Sequence, residues 1–206
     1  MQEKLTPALA KRLAAYSATA GVALAAAPGA AAQVVYGHFD PEIALDLDTP
    51  GPYLWIDFDF DDDGVGDIRL WGYDLVLGDP VFNEINLYPA FGAPLGNSLV
   101  GYETFFGLVE GLSRLTSGDA IGPLLNAPQE WWGGRVYAAV YDFGDSEGQF
   151  PFVGEEGYAG FRFVGGDGEL HYGWLRLAVT EQADVATVAA YAYEATPDTP
   201  ITAGDR

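Results

Sequence analysis

Hydrophobic and polar positions alternate in short runs through most of the chain, and glycine and proline separate the runs. Leu54, Ile56, Phe58 and Phe60 alternate with Trp55, Asp57 and Asp59. A period of two puts successive side chains on opposite faces of a strand. The same reasoning predicts strands over 34–36, 53–60, 68–77, 135–143, 158–164, 170–179 and 185–193, with one or two more within 98–115. The run Leu108-Val109-Glu110-Gly111-Leu112 has helix-like spacing, but Gly107 and Gly111 weigh against a helix. Residues 78–98, rich in Pro, Asn and Gly, read as a long surface excursion. Residues 116–134 read as a loop and 144–157 as an acidic loop. Gly165-Gly166-Asp167-Gly168 reads as a tight connection between two strands. Many short extended runs without helical periodicity predict an all-β fold. We expect a single-domain antiparallel β-sandwich, jelly-roll-like, over 33–206.

One connection carries chemistry. Asp57-Phe58-Asp59-Phe60-Asp61-Asp62-Asp63-Gly64-Val65-Gly66-Asp67 holds six carboxylates in eleven residues. Like charges at this density repel unless a cation lies among them. Asp59, Asp61, Asp63, Gly64 and Asp67 fit the spacing D-x-D-x-D-G-x-x-D, which wraps oxygens around one Ca2+. The expected ligands are the side chains of Asp59, Asp61, Asp63 and Asp67 and the carbonyl of Val65. Gly64 allows the sharp turn. Leu70 stands where an EF-hand has its bidentate glutamate, and the flanks are strand-like. The loop resembles those of integrin-type propeller blades and thrombospondin type 3 repeats. That resemblance implies that Asp67 takes the bidentate role. The competing reading is an acidic, solvated turn. A second acidic group, Asp142, Asp145 and Glu147, reads more simply as loop surface.

Residues 1–32 have a positive start (Lys4, Lys11, Arg12), an alanine-rich apolar run and a small-residue end at Ala30-Ala31-Ala32. This is the pattern of a secretory signal peptide cleaved after Ala32. Loss of Lys4, Lys11, Arg12 and Glu3 with the leader takes the formal charge from −21 to −23 and leaves arginine as the only cationic residue type. Such a charge disfavours nucleic acid and anionic lipid. It suits either a saline medium or a generally acidic secreted protein. Cysteine is absent, so disulfides and thiol catalysis are excluded. With only His38 and His171, a zinc site is not expected.

The closing segment contains Tyr158-Ala159-Gly160-Phe161-Arg162-Phe163, then His171-Tyr172-Gly173-Trp174-Leu175-Arg176-Leu177. Ala190-Tyr191-Ala192-Tyr193-Glu194-Ala195-Thr196-Pro197 and Ile201-Thr202-Ala203-Gly204 follow. With the early aspartate loop and the leader run Lys11-Arg12-Leu13-Ala14-Ala15-Tyr16-Ser17, this set resembles secreted bacterial β-proteins of the PEP-CTERM-associated type. The resemblance implies export and carries no activity. The sequence ends at Arg206 without a Pro-Glu-Pro sorting tail, so free secretion is the expectation.

Trp55, Trp71, Trp131, Trp132 and Trp174 are either core or a stacking platform for sugar rings. Trp174 reads as core. Adjacent residues of an extended chain face opposite ways, so one ring of Trp131-Trp132 is expected outside, as a ligand or partner contact. His171 reads as a structural hydrogen-bonding residue on a predicted strand beside Tyr172 and Trp174. The functional expectation is a secreted, calcium-stabilised structural or adhesive protein without catalytic activity. The expected partners are other copies of itself or an extracellular polysaccharide. The alternative is a carbohydrate-binding, lectin-like module.

Overall fold

A computed structural model describes residues 33–47, 53–76, 81–103, 110–141 and 151–206. The leader and the Asp142, Asp145, Glu147 group lie outside the described residues. The fold is all-β. Among the described residues no helix is long and apolar enough to cross a membrane.

The strands are β1 (Val34–Asp46), β2 (Tyr53–Phe58), β3 (Ile68–Val76), β4 (Val81–Pro89), β5 (Ser98–Glu103), β6 (Glu110–Leu112), β7 (Arg114–Leu115), β8 (Ala120–Ile121), β9 (Glu130–Trp132), β10 (Val136–Tyr141), β11 (Glu156–Val164), β12 (Leu170–Val179), β13 (Val185–Glu194) and β14 (Ile201–Thr202). One large sheet runs β1-β13-β12-β11-β5-β6-β10-β4-β3-β2, with β7 on β11 and β9 on β5. β14 and β8 form a separate pair. Pairing is antiparallel except between β10 and β6. The sheet curls nearly into a barrel. Its two ends meet through side chains: Phe39 of β1 lies 6.2 Å from Phe58 of β2, and Leu45 and Leu47 pack over Gly72 of β3. The expected all-β single domain is therefore present, built mainly from one large mixed sheet curled on itself.

Alternation drives the curl. Phe58, Leu70, Ile85 and Leu87 from one half face Phe161, Phe163, Leu175 and Val188 from the other in a single buried core. Phe60 stacks on Phe161 at 4.2 Å between ring centroids and joins the halves. Each such side chain contributes on the order of 1.5–3 kcal/mol on burial. A second apolar cluster lies on the opposite face of β11–β13. There Tyr172, Trp174, Ala190 and Ala192 are covered by Ile121, Ile201 and Ala203. Both faces of these strands are thus dry, which explains their nearly continuous hydrophobic sequence.

The expected surface excursion over 78–98 is corrected by β4, which pairs with β3 from Ile68↔Pro89 to Val76↔Val81 and with β10. Ile85 and Leu87 point into the core, while Glu84 and Asn86 alternate with them and are also buried. Those buried polar residues disguised the strand. β1 extends well past Tyr36. Its register shifts between His38 and Ile43, around Pro41, which has no N–H to give a ladder. The 116–134 loop contains the short strands β8 and β9. The hairpin connections at 165–168 and 180–184 lie where the sequence predicts them.

Candidate metal centre

The aspartate loop joins β2 to β3, whose pairing ends at Phe58↔Ile68. The Asp67 N–H closes the loop by donating to the Phe58 carbonyl at 2.7 Å. Inside it, Asp62 has φ +61° and Gly64 φ +89°. The left-handed geometry at Gly64 is the turn expected from the spacing. The Gly64 N–H donates to Asp59 Oδ2 at 2.9 Å. The Asp63 N–H lies 3.2 Å from Asp59 Oδ1 and 3.3 Å from Asp61 Oδ1. These amides orient the carboxylates towards one another.

Asp59, Asp61 and Asp67 each offer an oxygen, all within 4.8 Å of one another. Two oxygens bound to one Ca2+ at about 2.3–2.6 Å stand no more than about 5 Å apart, so the spacing of the three is compatible with a single hard cation. Asp63 is turned to its own turn, where Oδ1 accepts the Val65 N–H at 2.7 Å. The structure therefore brings together three of the four predicted side chains, Asp59, Asp61 and Asp67.

Asp67 is only 2% exposed. Its Oδ2 accepts the Phe60 N–H at 2.9 Å. Burial, opposed by that N–H and reinforced by Asp61, Asp59 and Asp63, pushes its carboxyl up to about 7. Asp59 is also raised, first by burial, against the Gly64 N–H, with Asp61 and Asp63 adding to the rise. Carboxylates that resist ionising together are what a divalent ion would relieve.

Two distant segments hold the loop, and neither is visible in its spacing. Gly166, in the β11–β12 turn, donates its N–H to Asp61 Oδ2 at 2.6 Å. A Cβ at Gly166 would stand 3.1 Å from the Asp63 Cβ, a contact tight enough that the aspartate loop would have to shift by a few tenths of an ångström to admit it. Asn97, before β5, donates to the Asp67 carbonyl at 3.2 Å and accepts the Val164 N–H at 2.9 Å. It thereby ties the two hairpins together. The Ala90 N–H also donates to the Asp67 carbonyl, at 3.0 Å.

Beside the loop, Tyr193 is pushed up to about 12, first by burial and then by Asp61, Tyr191, Asp67 and Asp167. His171 is buried, with Nδ1 2.9 Å from the Glu194 carbonyl and Nε2 3.2 Å from Asp167 Oδ2. Both ring nitrogens have partners, as its structural reading anticipates. Asp167 is lowered, first by the Glu169 N–H, with His171 adding to this against a small burial cost.

Trp131 and Trp132 lie elsewhere, on β9. Trp131 packs into the second cluster, 5.8 Å from Tyr172. Its Nε1 donates to the Gly122 carbonyl at 3.2 Å, and the Arg162 guanidinium lies 4.8 Å over its ring. Trp132 packs against the main core. The rings do face opposite ways, but each finds an apolar cluster and both are half-buried. No protein family, curated protein or solved structure matches this chain.

Proposed function

We propose that this is an exported β-protein with a structural or adhesive role, in which Ca2+ bound by Asp59, Asp61 and Asp67 locks the β2–β3 connection. The observation that carries the reading is the convergence of three carboxylate oxygens within 4.8 Å, in a loop pinned by Gly166 and Asn97 from two other connections. An all-oxygen donor set suits a hard cation. An ion there joins β2, β3 and, through Asp61, the β11–β12 turn, and so supplies cross-linking that a cysteine-free chain does not get from disulfides. The leader pattern and the resemblance to secreted bacterial proteins support export.

The test is calorimetry of the mature chain with Ca2+, Mg2+ and Zn2+, paired with thermal melts in chelator and in millimolar calcium. The reading expects Ca2+ heat, a raised melting midpoint, and a Ca2+ signal lost in an Asp59→Asn, Asp61→Asn double variant. Equal midpoints with and without calcium would remove the ion from the account. Light scattering with added calcium tests the adhesive part, because a protein that stays monomeric at all calcium levels is no filament subunit.

A further inference from the structure

The outer side of β2, β3, β4 and β10 differs from the rest of the molecule. Core-facing residues here are aliphatic, such as Leu70, Leu87 and Val136. The alternate positions come into register as rows across the strands. Trp55 stands opposite Trp71, Trp71 opposite Asn86, and Asn86 opposite Tyr137. Tyr53 stands opposite Tyr73 in the next row. The Tyr53, Trp71 and Tyr73 rings are near parallel, with centroids 5.1 to 5.9 Å apart. Tyr53 is 53% exposed and Trp55 38%. A cleft of about 360 Å3 opens on this side, lined by Trp71, Tyr88, Pro89, Gly133, Gly134 and Arg135.

Charge narrows what this face takes. The chain carries a formal −21, yet each cation here is matched. Arg69 holds Asp57 through two bonds of 2.5 and 2.6 Å, and Arg135 lies 3.3 Å from Glu84. Their guanidinium groups also sit over rings, Arg69 5.5 Å from Trp55 and Arg135 6.0 Å from Trp71. A locally neutral patch on an acidic protein attracts neither a polycation nor a polyanion. Rings spaced along strands present apolar surface in discrete plates.

We propose that this face binds a neutral polysaccharide. Apolar sides of sugar rings rest on Tyr53, Trp55 and Trp71, and hydroxyl groups meet the Arg135 end of the cleft. Ring surface, the Arg135 guanidinium as a hydrogen-bond donor and local neutrality occur together here, in a cleft of small-ligand size. The cleft lining shares no residue with the metal centre, and polysaccharide binding there does not rest on a bound ion.

Affinity electrophoresis in calcium, through native gels containing dextran, laminarin, xylan or galactomannan, with alginate as the anionic comparison, tests this. At least one neutral polysaccharide should retard the protein, and alginate should not. Tyr53→Ala and Trp55→Ala, at exposed positions, should weaken that retardation about tenfold or more. Leu124→Ala, at another exposed position, should not. Unchanged melting midpoints and calcium titrations would show that the variants keep their fold. No retardation by any of the four neutral polymers, retardation by alginate alone, or equal retardation of wild type and Trp55→Ala would each overturn the proposal. So would a concentration-dependent dimer that Trp55→Ala abolishes, since the face would then belong to a second copy.

Discussion

Gly166 gives its N–H to Asp61 across 105 residues of chain, at 2.6 Å. The contact makes the β11–β12 turn part of the aspartate loop's wall. It also fixes one carboxylate of the cluster from outside the loop, so the loop geometry depends on the whole sheet being closed. A cation bound there would stabilise long-range structure as well as a local turn.

Asp61→Asn separates the charge of that carboxylate from its shape, because the amide oxygen still accepts from Gly166. Without metal, the variant relieves repulsion on Asp59, Asp63 and Asp67, and its melting midpoint in chelator should equal or exceed that of wild type. In calcium the order should reverse, with affinity at least about tenfold lower. Melts in both conditions and a calorimetric titration check the crossover. A simple hydrogen-bonded turn would show no reversal.

The buried Asp67 carboxyl gives the metal-free protein a pH signature. Its folded value of about 7 lies above the ordinary 3.8, so between those limits the folded state holds a proton that the unfolded chain has released. The stabilising contribution is fully present below about pH 4 and is lost as pH rises through about 7. Its size is on the order of a few kcal/mol. Calcium should compete with that proton, so its affinity should rise from pH 5.5 to 8 and binding near pH 6 should release protons. Denaturation at several pH values in chelator, and titrations in buffers of different ionisation enthalpy, measure both effects.

Phe60 couples the core to the loop. It is buried, stacks on Phe161 at 4.2 Å, and its backbone N–H holds Asp67 Oδ2. Phe60→Ala should cost about 3–5 kcal/mol in chemical denaturation through the cavity it leaves. Calcium affinity should fall with it, whereas Phe161→Leu should lower stability with a smaller effect on affinity.

Much of the fold was legible because its signals are local. Tyr158, Phe161 and Phe163, then Tyr172, Trp174, Leu175 and Leu177, give dense apolar runs bracketed by a glycine turn, and β11, β12 and β13 lie where these runs predict. β4 was hidden because Glu84 and Asn86 occupy outward positions that are buried by other side chains, and a buried polar strand has the composition of a loop. The aspartate spacing pointed to the loop and to Asp59, Asp61 and Asp67. It could not foresee that Asp63 would satisfy the Val65 N–H, or that Gly166 and Asn97 would arrive from elsewhere. An exposed ring at Trp131-Trp132 requires water on one side of the strand. Here the β8–β14 pair and its neighbours supply apolar surface on that side, so alternation placed the rings correctly but not their exposure.

Asn97 offers the sharpest check on how the hairpins are joined. Its side chain spans from the Asp67 carbonyl to the Val164 N–H and is itself buried. Asn97→Ala leaves the Asp67 carbonyl with the Ala90 N–H as its remaining donor and takes the acceptor from the half-buried Val164 N–H. The expected loss is about 1–3 kcal/mol. Asn97→Asp keeps the acceptor for Val164 but gives Asp67 no donor, and it adds a negative charge near a cluster already crowded with them. It should therefore be the less stable of the two in chelator. Calcium should recover more stability in the Asp variant, because only there does the ion also offset the added charge. Equal recovery in both would place Asn97 outside the electrostatic reach of the metal centre and leave it a purely mechanical tie.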